Sequence, residues 1–264
     1  MTDRTAERAI QQHGDGASPL VQQGPDPSPQ VRQASLVAGV ALLLMSALAG
    51  FGYPYALHRL ITPGDAAGTG QNILAHQGQF WSGIACLFLV VALDVVVALA
   101  LYRVFSPVSK GISGLAAALR LLYAGIFAVA VFQLVAAGRL LGDSSTLSAP
   151  GVDRAQAQAS SDINRFTDVW HAGLILFGLH LLVVAWLACR SGYVPKVLGV
   201  LIGIAGLGYI FDSIARVLSD ASWPEVSTVT FIGEFLLALW LVIRGRRVTV
   251  SRPAFHAEPT AAAQ

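Results

Sequence analysis

Charge is scarce in this sequence. Only 12% of its 264 residues are Asp, Glu, Lys or Arg, whereas 55% are hydrophobic, and soluble domains keep about 25% charged. A soluble globular domain is excluded. Nucleic acid is not expected as a partner either, because the net charge is only +2 and the basic residues lie at the ends of apolar runs. Cysteine is scarce as well, with Cys86 and Cys189 alone. They fall near opposite ends of their apolar runs, a membrane thickness apart, and a disulfide needs Cα atoms within ~7 Å. Both read as small packing residues. HExxH, GxSxG, a Walker phosphate loop and CxxC are missing altogether, so the common metalloprotease, hydrolase, nucleotide-binding and redox signatures are not there. Ser46 and Ser82 have no base at helical spacing.

What is present is apolar length. About 20 apolar residues cross a ~30 Å hydrocarbon core as a helix, and six stretches qualify: 34–53, 80–102, 112–137, 169–189, 197–217 and 226–243. The expected fold is all-α, a polytopic transmembrane bundle of six helices over residues 34–245. Residues 1–33 are polar and proline-bearing and read as a disordered cytoplasmic tail, and residues 246–264 read as a second tail. Ala47, Leu48 and Ala49 resemble a signal-peptidase site, but thirty-odd residues precede the run and Arg32 is the only base beside it. The first run is therefore expected to stay as a span.

The basic residues set the orientation. With both termini cytoplasmic, the inner segments hold eleven Lys and Arg and the outer loops five, with Arg120 inside a span. Short inner loops such as RVFSPVSK and RSGYVPK are what the positive-inside rule selects. The expected location is the cell membrane, multi-pass, with the lipid bilayer as the surrounding partner. The longest outer loop, residues 138–168, contains Ala155, Ala159, Ile163, Phe166 and Trp170 at spacings of three and four. This stripe lies opposite Arg154, Asp162 and Arg165. It reads as a helix on the outer membrane surface, either a plain approach to the fourth span or a lid over an outward cavity. Gly199, Gly203 and Gly206 make a small face for close helix packing.

Ionisable groups inside the spans carry the functional question. His180 lies ten residues before Arg190, Asp94 nine before Arg103, Glu234 ten before Arg244, and Arg120 ten after Lys110. At ~1.5 Å per residue all four sit roughly 14–15 Å from the inner basic rim, close to the midplane. Each charge costs an isolated helix about 2.5–3.5 kcal/mol, so the groups are expected to face one another. Asp94 and Arg120, on consecutive antiparallel helices, are the expected ion pair. Glu234 and His180 complete the cluster, with Tyr123 one turn from Arg120. Two carboxylates against one arginine leave an excess negative charge unless a proton is held. A structural ion-pair network and a binding or proton-handling site both fit this pattern. Asp212 and Arg216, four residues apart, form a second, outer polar pair.

His171 and His180 are nine residues apart, which puts them about half a turn apart and ~13.5 Å along the axis. They cannot share a metal or a haem, and no cofactor is expected. His171, beside Trp170, reads as an outer-interface residue.

GLHL at 178–181, RSGYVPKVLG at 190–199, AGLGYIFDS at 205–213 and GE at 233–234, with GYPY at 52–55 and RLLYAG from Arg120, carry a resemblance. Over about residues 34–245 the chain resembles the bacterial membrane proteins grouped as domain of unknown function 4386. The resemblance implies a polytopic integral membrane protein and no established activity, so no catalytic residue carries over. It places His180, Arg120, Asp212 and Glu234 within recognisable motifs. The functional expectation is a membrane protein that binds or passes a small ligand, a lipid or a proton through the mid-membrane cluster. The alternative is a membrane-embedded enzyme using Glu234, Asp94 and His180 as acid/base residues. Substrate, partners and oligomeric state are not legible.

Overall fold

A computed structural model describes residues 28–143, 151–218 and 232–247, and among them every regular element is helical. The first helix, α1 (Ser28–Gly50), begins one and a half turns before the apolar run, so residues 28–33 are helix rather than tail. Pro29 does not oppose this, since the first turn has no use for its missing N–H. At the other end α1 widens into a π-helical turn, Phe51–Leu57, around Pro54, and then tightens into a 3₁₀ turn, His58–Leu60. Proline removes one ladder hydrogen bond, and the wider turn accommodates the loss. The short helix α2 (Ala66–Ala75) is capped by Asp65, whose side chain accepts from the Gly68 N–H at 2.8 Å.

Four long helices follow: α3 (Gln77–Phe105), α4 (Lys110–Gly142), α5 (Val152–Arg190) and α6 (Lys196–Leu218). The last, α7 (Ile232–Ile243), has 12 described residues; the expected start of that span near residue 226 lies outside the described residues. Five helices, counting α1 with its irregular extension, are long and apolar enough to cross a membrane, and α7 is a shorter apolar helix. Large apolar side chains such as Leu89, Phe132, Val200, Leu207 and Phe211 stand exposed around the outside. Water penalises such a surface and lipid does not. The chain is a polytopic helical membrane protein.

The helices close into a ring. Each packs on the next in chain order, α1 on α3, then α4, α5, α6 and α7, and α7 returns to α1. Short turns reverse the chain between α3 and α4 and between α5 and α6. The second turn needs Gly192 at φ 72°, a left-handed conformation that a side chain resists. Tyr193 beside it donates to the Val104 carbonyl and ties this turn to α3; burial pushes its phenol above the usual range. Arg32, Arg103, Lys110, Arg190, Lys196 and Arg244 thereby gather at one basic end of the bundle.

Glycine brings backbones together at the α5–α6 contact, as expected, and also, beyond that expectation, at α1–α7. A Cβ on Gly206 would stand 2.7 Å from the Gly178 carbonyl oxygen, at the α5–α6 contact. At α1–α7, a Cβ on Gly39 would meet the Ala238 oxygen at 2.8 Å. Dispersion at such close range drives helix association in lipid.

One expectation about the loops is corrected. The segment expected to lie on the outer surface is the first half of α5, a continuous helix of 39 residues. At ~1.5 Å per residue it is roughly 58 Å long, far more than a membrane core. Ala155, Ala159, Ile163 and Phe166 are buried, and α2 packs along this part of the helix. The apolar stripe is thus covered by protein. Asp162, expected on the polar side, is also buried and takes hydrogen bonds from Gln158 at 3.0 Å and Arg165 at 3.1 Å.

Candidate functional site in the bundle centre

The ring of helices leaves a partly open cavity of about 150 Å³, and α1, α3, α4, α5, α6 and α7 all contribute to its wall. Its ionisable residues come from four of them: Asp94 on α3, Arg120 and Tyr123 on α4, Tyr209 on α6 and Glu234 on α7. Met45 and Ser46 of α1 and Trp170 and Phe177 of α5 supply much of the rest.

Arg120 is the hub. Only 2% of it is exposed and none of Asp94, yet their charged atoms meet at 2.8 Å (Nη2 to Oδ1). The contact is a close ion pair rather than an aligned hydrogen bond, and both Asp94 oxygens lack a well-directed donor among the described residues. The other terminal nitrogen, Nη1, lies 3.2 Å from His180 Nε2. The guanidinium carbon stands 5.3 Å from the Phe177 ring centre, at cation–π range.

The surroundings of His180 fix its tautomer. Its Nδ1 is 2.8 Å from the Ala116 carbonyl oxygen, which can only accept, so Nδ1 carries the proton. Arginine can only donate, so Nε2 accepts from Arg120. His180 is therefore a neutral imidazole clamped between two groups of α4. It holds Arg120 in place from behind the cavity wall.

Glu234 sits across the ring. It is 9% exposed and lies within electrostatic reach of Tyr209 on α6. Its Oε1 is buried without a hydrogen-bond partner among the described residues. Aromatic rings enclose this side of the cavity. Phe177 lies 4.8 Å from Tyr123 and 5.2 Å from Tyr209 between ring centres, and the Trp170 N–H donates to the Tyr123 hydroxyl at 3.3 Å. Tyr53, presented by the π-helical GYPY turn, packs on Trp170 at 4.9 Å.

The structure thus brings Asp94, Arg120, Tyr123 and Glu234 to one cavity, with His180 directly behind Arg120. His171 departs from its expected place. It is buried, 8% exposed, instead of lying on the surface of the bundle. Its ring lies 5.8 Å from Trp170, and Asp212 and Arg216 of α6 are within electrostatic reach. The half-turn between the two histidines is real. It separates a face of α5 on α4 from a face on α6, because α5 has a helix on each flank. Asp212 is half-buried and Arg216 exposed, on the stretch of α6 beside His171 and away from the central cavity. Residues outside the ionisable set were missed from sequence: Met45, Phe177 and Tyr209. Tyr209 stands in the GYIFDS stretch, and depth counting applied to phenols as well as charges would have found it.

The sequence pattern of the family described as domain of unknown function (DUF4386) matches residues 37–245. The chain belongs to this family. An uncharacterized protein of Archaeoglobus fulgidus is 38% identical over 172 residues, covering 64% of this chain and 89% of that protein. No solved structure matches the chain. The DUF4386 match runs from the third turn of α1 to the end of α7, so it covers every helix that lines the cavity.

Proposed function

We propose that this DUF4386 protein is a non-enzymatic membrane protein that binds a small ligand in its central cavity, with the basic end of the bundle facing the cytoplasm of the cell. The observation that carries this reading is the cavity itself, walled by six helices and facing a buried oxygen of Glu234 with no hydrogen-bond partner among the described residues. A network serving only to pair helices gains nothing from leaving that oxygen unsatisfied, which costs about 1–3 kcal/mol or more. Use of Asp94, His180 and Glu234 as an acid/base set is less well supported. His180 has both nitrogens committed, and Asp94 faces Arg120. The orientation rests on the Lys and Arg count.

Mass spectrometry of small molecules that copurify in mild detergent tests the reading, comparing the native chain with Ala49→Trp, which fills the cavity from α1. A compound present in the first and depleted in the second supports a ligand site. The same inventory from both proteins, with both folded, overturns it.

A further inference from the structure

We propose that the occupant of the cavity is a small organic cation, a protonated amine or a quaternary ammonium, held by Glu234 within the aromatic wall. This rests on the reading of the cavity as a ligand site and names the chemistry of the ligand.

The argument starts from charge. Asp94 neutralises Arg120 at 2.8 Å, and His180 is neutral by its hydrogen bonds. Glu234 is then a second carboxylate with no second cation beside it among the described residues, and when ionised it leaves the cluster one negative charge in excess. At mid-depth such an excess is expensive, and one bound positive charge removes it. The walls decide which kind. A hard metal ion takes six or more oxygen ligands for calcium, or a near-ideal octahedron for magnesium. No group of three or more His, Cys, Asp or Glu suited to a metal exists among the described residues. An ammonium group needs one carboxylate and the faces of aromatic rings, and Tyr123, Trp170, Phe177 and Tyr209 stand with Glu234 around the same space. A volume of about 150 Å³ holds about five water-sized groups at ~30 Å³ each, which suits a tetramethylammonium-sized body.

Exchange with a proton follows. In the empty cavity the same excess charge is relieved by a proton on Glu234. The groups that face it are Tyr209 from α6, Arg120 and Tyr123 from α4 and Asp94 from α3, while α1 and α5 present Met45, Ser46, Trp170 and Phe177. Entry of the cation releases that proton to solvent, so the cation binds more tightly as pH rises.

The test uses the full chain in mild detergent, with Cys86 and Cys189 changed to Ala and Ser46→Cys placed in the cavity wall. The rate of thiol modification by a small neutral methanethiosulfonate is measured with tetramethylammonium chloride, sodium chloride or tert-butanol. Tetramethylammonium is expected to slow labelling saturably and the other two are not. Its half-protecting concentration should fall as pH is raised. Glu234→Gln should abolish protection while labelling persists, and Trp170→Leu should raise the half-protecting concentration by about 5- to 30-fold, the worth of one cation–π contact. Labelling without protection by tetramethylammonium, equal protection by tert-butanol, or protection unchanged in Glu234→Gln overturns the cation. Protection by sodium alone assigns a metal ion and overturns it as well. Failure of Ser46→Cys to react in the folded protein, with reaction after denaturation, overturns the underlying cavity reading instead.

Discussion

Replacing Arg120 with leucine interrogates the centre of the bundle most directly, because the guanidinium supports several neighbours at once. Its loss strands Asp94, which is fully buried and 2.8 Å from the missing charge. Removing one member of a buried ion pair typically costs ~3–5 kcal/mol. His180 Nε2 loses its donor at the same time, adding on the order of 1 kcal/mol or more. Adding Asp94→Leu then removes the stranded carboxylate and leaves chiefly the unpaired imidazole nitrogen, at about 1–3 kcal/mol. The double variant should therefore be more stable than Arg120→Leu alone by roughly 2 kcal/mol or more. The appropriate assay is reversible unfolding in bicelles by steric trapping, with native chain, both single variants and the double variant forming a complete cycle. A double variant as unstable as Arg120→Leu, or less stable, refutes the reasoning, because Asp94 would then not depend on Arg120 for its compensation.

Other expectations concern single helices. His180→Phe should cost about 1–3 kcal/mol by leaving Arg120 Nη1 without its acceptor, whereas His171→Phe should stay within about 1 kcal/mol, since its Nδ1 has no partner to lose among the described residues; the reverse ranking in the same unfolding assay counts against the tautomer assigned to His180. Gly206→Val should cost at least about 1–3 kcal/mol, because a Cβ there would already stand 2.7 Å from the Gly178 oxygen, and unchanged thermal stability in detergent would show that α5 and α6 are not held by that contact. In a background without Cys86 and Cys189, a membrane-impermeant maleimide added to intact cells should modify Ala157→Cys on the exposed side of the first half of α5 but spare Ser109→Cys in the α3–α4 turn. The opposite pattern inverts the bundle.

Depth was legible in the sequence because the rise of a helix is fixed and Lys or Arg marks one surface. Counting from Arg103, Lys110, Arg190 and Arg244 is enough to bring Asp94, Arg120, His180 and Glu234 to a common level, and the structure brings them to one centre. Helix boundaries were less legible. The hydropathy of α1 begins later than its hydrogen bonding, and α5 runs far beyond its apolar part because α2 covers the stripe that water would otherwise meet. Sequence pattern registers an apolar stripe but not whether lipid or protein covers it.

The same ambiguity explains His171. A spacing of nine residues establishes that two side chains point to opposite sides of α5, but in a closed ring opposite sides need not mean protein and lipid. Each helix has two neighbours and a face toward the ring axis, so a large share of its circumference is protein-facing. His180 occupies the flank on α4 and His171 the flank on α6. Azimuth acquires meaning only after the neighbours are known, whereas depth has it from the start. That difference also separates the two polar sites. The central cluster draws groups at a common depth from helices that face the axis, so Asp94, Arg120 and Glu234 line one cavity, with His180 directly behind Arg120. Asp212 and Arg216 of α6 instead come close to His171 of α5 where the two helices pack, and none of the three is among the residues that line that cavity.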